Sequence, residues 1–311
     1  MKYGPYFCSY RLGLNVKMMV LRINFVLLLL VLIGAAGMAQ HSLAFYNDVM
    51  VNASDGRHRV EAAKVFTQSF LQELRKSGSY NQPFLELKWI SAKADADRSF
   101  RIFTWQVEDE KGKFQQYGAI QKKDGTVYEL KDKTAFEPDM EYAQLQPDQW
   151  LGALYYNMIE TKTEKGKAWL LFGYDGGDGK NRLKVVDVLS FDKEGKPVFG
   201  AELFLISDGK RPDAKTRVGL RYSSLANVNF NYNAAEEMII HDYVVARMGI
   251  DPEGNAALVP DGTYTGYKWD GRYWKKIEQL PTQTTAPGDI FFQPKKEEGP
   301  KKDLFGRPKE K

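Results

Sequence analysis

Apolar positions along this chain change their spacing twice, and each change marks a different kind of segment. From Phe25 to Ala36 about a dozen apolar residues run without a charge, behind Arg22 and ahead of the small residues Gly37 and Ala39. Over Arg59–Lys76 the spacing becomes helical: Val60, Ala63, Phe66, Phe70 and Leu74 recur at three- and four-residue steps and predict one amphipathic helix. Ser54 or Asp55 is placed to cap its start, and Gly78 to end it.

Beyond residue 80 the pattern shortens to runs of Val, Ile, Phe, Tyr and Trp broken by Asp-Gly, Glu-Gly and Gly-Gly turns. The predicted strands are Phe84–Ile90, Ser99–Val107, Phe114–Gln121, Thr126–Leu130, Leu151–Thr161, Lys167–Tyr174 and Leu183–Phe191. They continue with Pro197–Ile206, Thr216–Tyr222, Val228–Tyr232, Glu237–Val245, Thr263–Trp269 and Arg272–Glu278. Short connections favour antiparallel neighbours. The expected fold is mainly β: an antiparallel meander arranged as a sandwich, a barrel or in propeller-like fashion, with one N-terminal amphipathic helix. The expected organisation is a secretory signal peptide over residues 1–39, a helical segment over 40–80, an antiparallel β domain over 81–280 and a disordered charged tail over 281–311. The tail is rich in lysine, glutamate, proline and glycine, too poor in apolar surface to offset its chain entropy.

The first apolar run has the layout of a cleavable export signal. It is shorter than the roughly 20 residues that cross a hydrocarbon core, so no transmembrane span is expected in the mature chain. The expected location is periplasmic or secreted. Removing that leader also changes the charge. The chain of 311 residues carries 44 basic and 40 acidic side chains, and Lys2, Arg11, Lys17 and Arg22 all precede residue 40. The remainder is formally neutral, which argues against nucleic acid as a partner. The single cysteine, Cys8, leaves with the leader, and with it any disulfide or thiolate chemistry.

Candidate chemistry is sparse. Asp270-Gly271 reads as a two-residue hairpin turn that sets Trp269 opposite Arg272 and Tyr267 opposite Trp274. Tyr267, Trp269, Arg272 and Trp274 then share one face, either as a stacking platform for a sugar ring or as packing against the next layer. The loop Gly173–Asn181 lacks phosphate-loop spacing, and its Asp175, Asp178 and Asn181 lack the alternation of a hand-type calcium loop, so a glycine-rich hairpin turn is expected. His41, His58 and His241 supply no metal set and no nucleophile elbow accompanies them, so neither a metal nor a cofactor is expected. Glu160, Asp175, Asp187, Glu202 and Asp242 lie on or beside strands as possible carboxylate partners. Asp187, on an apolar strand face, calls for a partner such as Arg182 or Arg217.

The segments Trp150–Tyr156, Leu171–Gly176, Asp187–Gly200, Met238–Asp242 and Val259–Tyr267 together resemble a family of secreted Bacteroidota proteins of unknown function. The resemblance implies export and a mainly β domain, and brings no catalytic residues. At His241 the family pattern tends to an aromatic apolar residue, which implies a core position. The function expected is non-enzymatic binding of a glycan or an envelope protein. The alternatives are a carboxylate-based glycan hydrolase and an accessory subunit of an envelope complex.

Overall fold

The computed structural model describes residues 43–133, 135–207, 212–250 and 253–280. The expected signal peptide and charged tail lie outside the described residues. The chain is mainly β with antiparallel sheets, as its turn-punctuated apolar runs imply.

Residues 43–52 are helical (α1), and α2 follows at Gly56–Leu74. Asp55 caps α2, its carboxylate accepting the Arg57 N–H at 2.8 Å. The far end is closed by the Ser79 hydroxyl, which donates to the Leu74 carbonyl at 2.7 Å, and by Gly78 at φ 80°. Strands β1 (Ser91–Ala94), β2 (Phe100–Glu108), β3 (Phe114–Lys122) and β4 (Val127–Lys131) form a first sheet in sequence order. Next come β5 (Leu154–Thr163), β6 (Gly166–Asp175), β7 (Asn181–Phe191) and the short β8 (Pro197–Phe199), then β9 (Phe204–Ser207) and β10 (Pro212–Lys215). The chain returns as β11 (Val218–Ser223) to the edge of β7, giving a second sheet ordered β11-β7-β6-β5. β12 (Phe230–Asn233), β13 (Met238–Arg247), β14 (Ala257–Trp269) and β15 (Trp274–Leu280) complete a third sheet, β10-β9-β15-β14-β13-β12. Its one parallel contact joins β15 to β9.

The three sheets stack face to face beneath the helices, and side-chain alternation shows how. Phe103, Trp105 and Val107 of β2 point at Phe66, Phe70 and Leu74 of α2. Phe100 and Ile102, on the opposite face of β2, meet Trp169, Leu171, Val185 and Leu189 of the second sheet. Ala168, Leu170, Phe172, Val186 and Val188 leave that sheet on its other side and pack on Phe204, Phe230, Ile239, Tyr267 and Trp274 of the third. An antiparallel sheet ordinarily wets one face. Here the middle sheet is covered on both, which is why β6 and β7 read as near-continuous apolar runs.

Several expectations are corrected. There are two helices at the N-terminal end of the described chain, not one. Phe84–Ile90 is not a strand: Phe84 sits at φ 50° and its carbonyl accepts the Leu87 N–H at 3.0 Å, so the segment turns and plugs Phe84 and Leu87 under α2. Pro197–Ile206 divides into β8 and β9, because Gly200 turns the chain at φ 97° from the second sheet to the third. β1 and β10 are additional edge strands, both too short and too polar to show a period.

Candidate functional site

The aromatic hairpin has a longer turn than the sequence suggested. Trp269 pairs with Trp274 and Tyr267 with Lys276, leaving four residues in the loop. Asp270 sets this geometry by accepting the backbone N–H groups of Arg272 and Tyr273 at 2.9 and 2.7 Å. Tyr267 and Trp274 are buried in the core between the second and third sheets, Trp269 is half-buried, and Arg272 is exposed and paired with Glu164 at 2.6 Å. The four side chains therefore do not present one continuous open face. The Trp274 indole N–H donates to the Thr161 hydroxyl at 3.3 Å, and its ring edges onto Tyr232.

His241 also faces that core, between the rings of Phe230 and Tyr267. Burial lowers its pKa from the ordinary 6.5, against the opposing pull of its Nδ1 bond to the Asp242 carbonyl. The unfolded chain thus takes up a proton near pH 6.5 that the folded chain resists, so this contribution to stability is present above that pH and is lost as pH falls through it. Accordingly, thermal melts at pH 7.5 and pH 5 are expected to show a smaller acid-side drop for His241→Phe than for the parent. An equal drop in both would remove His241 from the account.

Of the strand-borne carboxylates, most are occupied. Glu160 pairs with Lys167 at 3.1 Å, Asp187 with Arg217 at 3.0 Å, and Asp242 accepts the Asn229 N–H. Glu202 is exposed on a bend. The Gly173–Asn181 loop is a hairpin turn, in which Asp178 spends its Oδ1 on the N–H groups of Lys180 and Asn181. Asp175, at the base of that loop, also reaches across to β3. Its Oδ1 accepts Gln116 Nε2 at 2.7 Å and the Gly177 N–H at 3.0 Å. The Gln116 backbone N–H donates in turn to Asp132 Oδ2 at 3.1 Å, so one glutamine of β3 holds two carboxylates. Residue Asp132 is exposed, but its carboxylate lies against Gly152, where a Cβ would come within 2.7 Å of it. Burial of that group, reinforced by the Asp175 charge and opposed by the Gln116 N–H, pushes its pKa up to about 6. Asp175 is raised as well, again chiefly by burial.

Beside this pair lies a pocket of about 220 Å³ lined by Met50, Arg59, Trp89, Gln106, Glu108 and Phe114, among others. Trp89 is 42 % exposed. Its indole N–H donates to Asp48 at 3.3 Å and its backbone N–H to Asn47 Oδ1 at 3.1 Å, so α1 fixes the ring. Arg59 is committed to structure, donating to the carbonyls of Glu108 at 2.8 Å and Ala53 at 2.9 Å. Glu108 keeps an exposed side chain. Gln106 connects the two features: it lines the pocket, and its Oε1 accepts Gln116 Nε2 at 3.1 Å and the Gly176 N–H at 3.2 Å.

The apolar spacing predicts a strand through Trp89, which lies in a turn, and offers no signal at Asp132. Nothing local marks Asp132, because its partner Asp175 belongs to another sheet. Among the described residues no helix is long and apolar enough to cross a membrane. Comparison with known proteins finds no family model that matches the chain and no matching curated relative.

Proposed function

We propose that this is an exported cell-envelope protein, of the secreted Bacteroidota type it resembles, that binds a glycan without turning it over. The observation that carries the proposal is Trp89, an exposed indole held by Asp48 at the pocket of about 220 Å³. A flat apolar ring beside a carboxylate (Glu108) and an amide (Gln106) suits a pyranose, which has an apolar face and a rim of hydroxyls. The volume is below the 300–1,000 Å³ of drug-sized sites and fits one ring better than an enclosed chain. Export, expected from Phe25–Ala39, makes envelope polysaccharide the natural ligand class.

The test mixes the purified protein with peptidoglycan and a glycan panel and follows both retention and release of reducing ends. Retention without release is expected, and Trp89→Ala should weaken it about tenfold, the loss of roughly one aromatic contact. Retention unchanged in Trp89→Ala would sink the assignment. The hydrolase alternative draws on Asp132, whose pKa of about 6 suits a general acid, and predicts release that disappears in Asp132→Asn. Neither retention nor release would favour a protein partner, for which the exposed Tyr243, Met248 and Ile250 on the far end of the β13–β14 ribbon are the natural surface.

A further inference from the structure

We propose that Arg182 and Lys184 of β7, with the tyrosine hydroxyls around them, form a binding site for a compact oxyanion, a phosphate or carboxylate group carried by the ligand. The site lies apart from the Trp89 pocket and does not rest on the glycan reading. Residues along β7 alternate between two cores: Leu183, Val185 and Leu189 face the first sheet, and Val186 and Val188 the third. Arg182 and Lys184 fall on the second of these faces, just beyond Val186. Arg182 is thus turned away from Asp187, which takes Arg217 instead. Across the ladder Lys184 stands beside Tyr174 of β6, and Arg182 beside Tyr222 of β11. Lys184 Nζ also lies 5.3 Å from the ring centre of Tyr156 on β5.

What the cluster lacks is an acceptor. Both cations are half-buried, yet among the described residues neither makes an ion pair or a side-chain hydrogen bond. Burial lowers the pKa of Lys184, and Asp242 on the third sheet pulls it back without pairing with it. Asp242 is itself engaged by the Asn229 N–H. Tyr222 is the sharper sign. It is 2 % exposed, and its hydroxyl neither bonds to a described residue nor is sealed from solvent. Burial raises the pKa of all three tyrosines. Beyond that, Tyr222 raises that of Tyr156, Tyr174 raises that of Tyr222, and Arg182 opposes the rise at Tyr174 and Tyr222, so these groups are neighbours. The Tyr156 hydroxyl is spent on the Phe230 carbonyl, which leaves Tyr174 and Tyr222 as donors. Half-desolvated cations and an unpaired buried hydroxyl are costly, and an oxyanion answers both. The planar fork of arginine takes two oxygens, lysine adds a point charge, and phenols donate to the remaining lone pairs. Two cations against the one carboxylate of Asp242 leave the cluster net positive.

Calorimetric titration of the purified protein with inorganic phosphate and with succinate, at neutral pH and matched ionic strength, tests the site. Neither probe has a sugar ring for the Trp89 pocket, so Trp89→Ala should bind as the parent does. Saturable binding of at least one anion is expected, with a Kd of about a millimolar or below. Phosphate alone would assign a phosphorylated ligand, and succinate alone a carboxylated one. Arg182→Gln and Lys184→Gln should each weaken binding about tenfold, the loss of one charge-assisted hydrogen bond. Tyr222→Phe removes only the hydroxyl. It should weaken binding several-fold and leave the Tm of the unliganded protein no lower, because that oxygen has no partner to lose. Lys180→Gln, on the neighbouring loop where Lys180 pairs with Glu253 at 3.4 Å, is the control and should bind normally. Should one charge variant fail to fold, the other and Tyr222→Phe carry the test. Binding of neither anion, or binding undiminished in the folded charge variants, overturns the proposal.

Discussion

Replacing Arg217 with methionine is expected to cost about 3–5 kcal/mol of stability, the usual penalty for stripping one partner from a buried ion pair. Both side chains of the Arg217–Asp187 pair are fully buried. The guanidinium Nε donates to Asp187 Oδ1 at 3.0 Å, and its remaining nitrogens donate to the carbonyls of Met140, Ala143 and Phe199. It thereby ties the segment after the first sheet and the end of β8 to the middle sheet. Burial pushes the Asp187 carboxyl up and the Arg217 charge pulls it back, so without Arg217 an uncompensated acid remains in the core. Asp187 Oδ2 already has no hydrogen-bond partner. Arg217→Met combined with Asp187→Leu should recover most of the loss, since an apolar pair of similar volume needs no counter-charge. The carbonyl of Ala143 keeps the Thr216 hydroxyl, and that of Phe199 keeps the Leu145 N–H. Urea melts of the single and double variants check this. A double variant as weak as the single would mean that the clamp on residues 140–143, and not the stranded carboxylate, is what matters.

The second large effect is expected from Phe70→Ala, again about 3–5 kcal/mol. Phe70 is fully buried and stands edge-on to Phe84, Phe103 and Trp105, with ring centroids 5.2, 5.1 and 5.9 Å away, and stacks on Phe66 at 5.3 Å. It joins α2, the turn after it and β2 in one cluster. Because β2 shares its other face with the middle sheet, the cavity should shift the whole unfolding transition and leave it cooperative. Separate transitions for helices and sheets, seen by circular dichroism and tryptophan fluorescence, would contradict that coupling.

Much of this fold was legible in the apolar spacing. The stripe through Ala63, Phe66, Phe70 and Leu74 is the buried face of α2, and most strand cores fall where the runs predicted them. The stacking of three sheets was not, because alternation shows which residues share a face and not what covers it. The uninterrupted stretches Ala168–Phe172 and Val185–Leu189 were the available sign of a sheet buried on both sides. α1 carries a helical pattern in Leu43, Asn47 and Met50, all buried, but the polar Asn47 breaks its apolar stripe. Phe84–Ile90 misled through composition alone: Phe84 and Leu87 go inward and Leu85 and Trp89 outward, a three-residue step set by turns. In the hairpin, Asp270 gathers two backbone N–H groups and lengthens the loop, which a two-residue turn signal does not foresee.

At the candidate site the limits were physical too. The need of Asp187 for a buried arginine was readable from its apolar face, and Arg217 meets it. The meeting of Asp132 with Asp175, and of Trp89 with Asp48, depends on how separate elements pack, and no local spacing encodes either one.

The central functional claim is that Trp89, and not the hairpin at Trp269, receives the ligand. Titration of soluble peptidoglycan fragments into the parent, Trp89→Ala and Trp269→Ala, followed by calorimetry, tests it most directly. The account predicts saturable binding by the parent and by Trp269→Ala, and binding about tenfold weaker or lost in Trp89→Ala. Binding intact in Trp89→Ala but lost in a folded Trp269→Ala would contradict it and return the site to the hairpin.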